Sequence, residues 1–74
     1  MKAIVTGASS GIGKDISIIL SNMGYTVYGV ARRKDKLEDL QKIIGNGFIP
    51  LVLDLSQKEN VYKLFEITKD EEIN

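Results

Sequence analysis

Along this chain short apolar runs alternate with helical stripes, and glycines or charges separate them. Residues 2–6, KAIVT, form a β-branched run that stops at Gly7, the pattern of a strand buried on both faces. After the glycines, Ile12, Ile16, Ile19, Leu20 and Met23 recur at spacings of four, three, one and three, which marks one apolar face of a helix, and Gly24 stands where that helix stops. Residues 25–31, YTVYGVA, are rich in β-branched and aromatic side chains and too short for a helix, so they predict a second strand. Leu37, Leu40 and Ile44 sit at helical spacing among charges, predicting a second helix over residues 34–44 that ends at Gly45-Asn46-Gly47. Residues 48–53, FIPLVL, predict a third strand, and Pro50 places it at a sheet edge. Ser56 and Glu59 fit a capping box ahead of Val61, Leu64 and Phe65, predicting a third helix to about Lys69 and a frayed acidic tail, DEEIN.

The order β-α-β-α-β-α, with amphipathic helices between the strands, predicts a parallel sheet built by right-handed crossovers. Seventy-four residues make a single small domain, because a chain of this length buries only about 60% of its unfolded surface. An apolar fraction of 43% with 27% charged residues is that of an ordinary globular protein.

Charge and residue types exclude several functions. Ten basic and ten acidic side chains cancel, so no net field draws nucleic acid or anionic lipid. Cysteine is absent, and with it disulfides, thiolate metal sites and thiol catalysis; histidine is absent too, which removes the usual zinc ligand and general base. No metal site is expected. No apolar window approaches the roughly 20 residues of a membrane span, and the reading is of a cytoplasmic chain.

The chemistry begins at residues 6–13, TGASSGIG. A strand that runs into glycines and then a helix aims several backbone N–H groups and the positive helix end at one point, which suits a phosphate. A nucleoside-triphosphate loop, G-x-x-x-x-G-K-[ST], fits poorly: Gly13-Lys14 supplies its end, but Ala8 stands at the first glycine and Asp15 replaces the magnesium-binding hydroxyl. A turn that binds nothing is the bland alternative, and the flanking strand and helix weigh against it.

The spacing Gly7, Gly11, Gly13 resembles the short-chain dehydrogenase/reductase family, whose T-G-x-x-x-G-I-G is matched in full, and the likeness continues through VARR at 30–33 and LDL at 53–55. It implies the N-terminal half of a three-layer, Rossmann-type α/β fold with three parallel strands in the order 3-2-1, a truncated dinucleotide-binding domain over residues 1–74. Gly7, Ser9, Ser10, Gly11, Ile12 and Gly13 then hold the pyrophosphate. Asp54 binds the adenine amino group, with the backbone of Leu55 nearby; a turn carboxylate is the alternative for Asp54.

In dinucleotide folds a carboxylate after strand two binds the ribose hydroxyls of NAD. Here Arg32 and Arg33 follow that strand and no carboxylate precedes Asp35, which favours NADP(H) over NAD(H) through guanidinium bonds to a 2′-phosphate. Pairing with Asp35, Glu38 or Asp39 is the alternative for Arg32, Arg33 and Lys34. Ser10 stands where many NADP-preferring relatives carry a basic residue.

The family's tyrosine and lysine, four residues apart, are not found. Tyr25, Tyr28 and Tyr62 are followed at that interval by Gly29, Arg32 and Glu66, and no N-N-A-G motif occurs, so no catalytic residue is expected. The chain ends where relatives begin a fourth strand, which leaves the edge of strand one open for a homo-oligomer or a complementing partner, or makes the protein poorly soluble. The functions to weigh are an NADP(H)-binding segment of an oxidoreductase, inactive alone; a truncated, self-associating module that binds nucleotide weakly or not at all; and one half of a split oxidoreductase.

Overall fold

Each apolar run becomes a strand and each stripe a helix. The computed structural model describes residues 1–69; the expected acidic tail, residues 70–74, lies outside the described residues. The elements are β1 (Lys2–Thr6), α1 (Gly11–Asn22), β2 (Thr26–Ala31), α2 (Lys34–Ile44), β3 (Phe48–Val52) and α3 (Lys58–Thr68). The expected boundaries hold to within two residues at every element.

The strands form one sheet in the order β1-β2-β3, parallel throughout, as the 3-2-1 expectation required. This is a Rossmann-like arrangement. Its register aligns Ala3, Val27 and Phe48 in one row and Val5, Gly29 and Pro50 in the next. Side chains alternate across a strand, so these rows share a face. On that face Val5, Val27, Ala31 and Phe48 meet Ala8 and the α2 residues Leu37 and Leu40 in one buried cluster.

Gly29 makes room for this core. A Cβ there would collide with the Phe48 ring, so the aromatic can lie flat across β2 only because residue 29 has no side chain. β3 has no neighbour beyond β2 among the described residues, which accommodates Pro50 at an edge. Both α1 and α2 lie on the sheet and touch each other, whereas α3 makes few contacts with any strand.

Two expectations fail. The capping box does not form: α3 starts after Gln57, whose side chain makes no cap bond, and Ser56 instead donates its N–H (3.0 Å) and hydroxyl (2.6 Å) to Asp54 Oδ1. The local Asx-turn outcompetes the cap because it needs no helix to be in place.

Most of the apolar face of α1 is turned away from the sheet, and of its five residues Leu20 alone packs against the core. Ile12, Ile16, Ile19 and Met23 are exposed, while Ser17 is fully buried. The reason lies at the helix start, where a Cβ on Gly13 would strike the Gly7 carbonyl. That close approach brings the small-residue side of α1 inward. Ser17 tolerates burial because its hydroxyl donates to the Gly13 carbonyl at 2.8 Å.

Candidate functional site

Parallel strands bring their carboxyl ends to one edge, so the segments after β1, β2 and β3 converge there. They line a cleft of about 570 Å³, within the size range of small-molecule sites. From the first segment come Thr6, Gly7, Ser9 and Ser10; from the second Val30, Ala31, Arg32 and Arg33; from the third Leu53, Asp54, Leu55 and Ser56.

The glycine loop is organised around the Gly7 carbonyl. Gly7 has a φ of +66°, a conformation that favours glycine, and its carbonyl accepts the Ser10 N–H at 3.3 Å. Ala8 N–H is anchored to the Val30 carbonyl of β2 at 3.1 Å, which ties the loop to the sheet. Helix α1 then starts at Gly11, and its first bonded backbone N–H is that of Lys14, donated to the Ser10 carbonyl at 3.2 Å. The N–H groups of Gly11, Ile12 and Gly13 have no backbone acceptor among the described residues. They are the orphan donors of a helix start and carry its positive partial charge.

Arg32 and Arg33 differ in their surroundings. Arg33 donates from Nε to Asp35 Oδ1 at 3.3 Å and from Nη2 to Asp35 Oδ2 at 3.2 Å, a forked pair on the surface. That hydrogen bonding holds the Asp35 carboxyl below its ordinary value. Lys34 pairs with Glu38 at 3.9 Å. Pairing within the charge run is thus realised for Arg33 and Lys34, while Arg32 has no ion pair among the described residues and lines the cleft.

Asp54 is anchored from one side. Both Ser56 bonds go to Oδ1, and Asn60 Nδ2 donates to the Asp54 carbonyl at 3.0 Å. The Ser56 hydroxyl and N–H, with a smaller contribution from the charge of Arg32, keep the Asp54 carboxyl ionised below its ordinary range. Its Oδ2 takes no donor among the described residues and can accept one from a ligand.

The structure therefore brings Gly7, Ser9, Ser10, Arg32, Arg33, Asp54 and Leu55 to one cleft. It leaves Gly11, Ile12 and Gly13 outside the lining, where they contribute backbone N–H groups and, at Gly13, the close contact with Gly7. Sequence reasoning missed Val30, Ala31 and Leu53 as lining because strand-end apolar residues carry no signal separating a cleft wall from core. Thr6 and Ser56 were read as a strand end and a helix cap, though Thr6 stands in the same TGASSGIG stretch. None of Tyr25, Tyr28 and Tyr62 lines the cleft. Among the described residues no group of acidic or histidine side chains could hold a metal ion, and no helix is long and apolar enough to cross a membrane.

Comparison with known proteins gives the same architecture. The family model for short chain dehydrogenases matches residues 1–72. A relative from Dichelobacter nodosus, described as a "Probable NADP-dependent dehydrogenase", is 38% identical over 66 residues, which is 89% of this chain and 62% of that protein. A crystal structure from Aeromonas hydrophila, of the short chain dehydrogenase/reductase family, superposes with a TM-score of 0.84 at 36% identity, over 89% of this chain and 31% of that one. A closed form of serine dehydrogenase complexed with NADP+ superposes with a TM-score of 0.83 at 26% identity, over 89% of this chain and 27% of that one. The chain thus spans less than two thirds of the relative and under a third of these solved structures.

Proposed function

The chain belongs to the short chain dehydrogenase family, and from that membership we propose that residues 1–74 are the NADP(H)-binding segment of a cytoplasmic oxidoreductase of this family, inactive alone. The carrying observation is the meeting of the glycine loop, Arg32 and Asp54 on one cleft at the carboxyl edge of three parallel strands.

The residues present suit the cofactor. The orphan N–H groups of Gly11, Ile12 and Gly13, with the hydroxyls of Ser9 and Ser10, hold the pyrophosphate. Arg32 binds the 2′-phosphate, and Arg33, anchored on Asp35, adds a second guanidinium beside it. Asp54 accepts the adenine amino group on its open oxygen, with Leu55 beside the base and Val30, Ala31 and Leu53 as apolar wall. When bound, the cofactor supplies hydride-transfer chemistry at its nicotinamide; the roles assigned to this chain are all at the adenosine end. The naming of the Dichelobacter relative as NADP-dependent and the NADP+ in the serine dehydrogenase structure support the phosphate-bearing cofactor.

The test is thermal unfolding with each dinucleotide. NADP+ at about 100 times its Kd stabilises by about 2.7 kcal/mol, and NAD+ at the same concentration shifts the midpoint less. Arg32→Ala should weaken NADP+ binding by roughly 10- to 100-fold, the worth of a lost bond to a charged group, and leave NAD+ unchanged. Unaltered preference in that variant removes the argument for NADP(H).

The exposed apolar side chains on α1 and α3 favour a second reading, a non-enzymatic self-associating module. It prevails if no dinucleotide shifts the melting temperature. A split oxidoreductase is separated from it by activity on coexpression with a chain that carries the tyrosine and lysine.

A further inference from the structure

The carboxylate at the end of β3 is held by its backbone and by its side chain. Leu53 N–H donates to the Ala31 carbonyl at 3.0 Å, so the chain stays tied to β2 up to the residue before Asp54. The Asp54 carbonyl accepts the Gln57 N–H and Asn60 Nδ2, each at 3.0 Å, which fastens the same peptide to the start of α3. Ser56 then donates from its N–H at 3.0 Å and from its hydroxyl at 2.6 Å, and both bonds end on Oδ1.

That both bonds end on one oxygen has a chemical consequence. The last torsion of an aspartate is broad, so a free carboxylate offers either oxygen at many tilts. Donors on Oδ1 from Ser56 fix the plane of the group, and Oδ2 is left in the cleft as an acceptor with no donor among the described residues. Purines differ at the position such an oxygen meets. A 6-amino purine presents a donor there, whereas a 6-oxo purine presents an acceptor, lone pair against lone pair.

We propose that Ser56 is a positioning residue that sets the base specificity of the cleft: by holding Oδ1 it presents Oδ2 to the 6-amino group of an adenine nucleotide and turns away 6-oxo purines. The inference rests on the NADP(H) reading and takes from it the place of the base beside Asp54.

The same geometry gives the opposite outcome for an amide. In Asp54→Asn the side-chain oxygen takes the Oδ1 place, because the Ser56 N–H donates and cannot accept, and the amide nitrogen falls at the open position. There it is a donor, suited to a 6-oxo group.

Calorimetric titration with NADP+ and with its hypoxanthine counterpart, deamino-NADP+, reads the specificity as a ratio of dissociation constants. The two ligands carry the same phosphates, so the contributions of Arg32 and the glycine loop cancel in the ratio. The wild type should prefer NADP+ by roughly 10- to 100-fold, the worth of a bond to a charged group. Ser56→Ala keeps the N–H bond and loses the hydroxyl, and the preference should fall by roughly threefold to tenfold; Ser56→Thr should restore it. Asp54→Asn should favour deamino-NADP+. A Ser56 that merely supports the fold would weaken both ligands alike and leave the ratio unchanged, which overturns the proposal. So does an Asp54→Asn chain that still prefers NADP+. Equal binding of both dinucleotides by the wild type refutes this inference alone, whereas binding of neither refutes the NADP(H) reading and this inference with it.

Discussion

Gly13 approaches the Gly7 carbonyl and the Ala8 backbone closely enough that no side chain fits between them. In an isolated helix, alanine at this position would be favoured by about 1 kcal/mol. In this protein the sign reverses, because the obstacle is backbone and cannot swing aside. Gly13→Ala is expected to destabilise by about 1–3 kcal/mol in chemical denaturation. A stabilised variant would mean that the close contact does not set the position of α1. That Arg32 and Asp54 would meet in one cleft was legible from sequence because each stands immediately after an apolar run, and parallel strands put such positions at one edge. The tie between Arg33 and Asp35 could not be told from the competing cofactor role, since both need the same charges in the same order. Ser56 followed a pattern that two local structures share, and the Asx-turn with Asp54 prevailed.

Among the elements, α2 behaves as its pattern dictates and α1 does not. Leu37 and Leu40 enter the core while Ile43 on the same helix stays exposed. Leu37→Ala should cost about 2–5 kcal/mol, comparable with the roughly 4–11 kcal/mol that a domain of this length holds in total. Ile43→Ala should stay within about 0.5 kcal/mol. Urea titrations of the two variants check the contrast, and equal losses would show that α2 packs by another face. In α1 the apolar stripe marks a real helix, yet the buried side is the one with Gly13 and Ser17. A hydrophobic pattern reports that a face will be covered, not which neighbour covers it. Among residues 1–69 no element covers Ile12, Ile16, Ile19 and Met23.

For the whole molecule, the proposed cofactor binding makes stability depend on dinucleotide concentration. Binding to the folded state adds free energy by mass action, so the melting temperature should rise with NADP+ concentration, and it should rise less for Arg32→Ala at the same concentration. A midpoint independent of NADP+ concentration in the wild type would remove the cofactor reading. Taken by itself, the sequence determined the six elements, their order, the parallel sheet and the set of groups at its carboxyl edge. All of these follow from short-range signals, namely run length, glycine punctuation and the residue after each strand. Only the tertiary structure decided the rotation of α1, the outward turn of Ile12, Ile16 and Ile19 and the fit of Phe48 over Gly29. Those depend on how closely backbones distant in sequence can approach, a distance that the absence of a Cβ permits but that no local periodicity records.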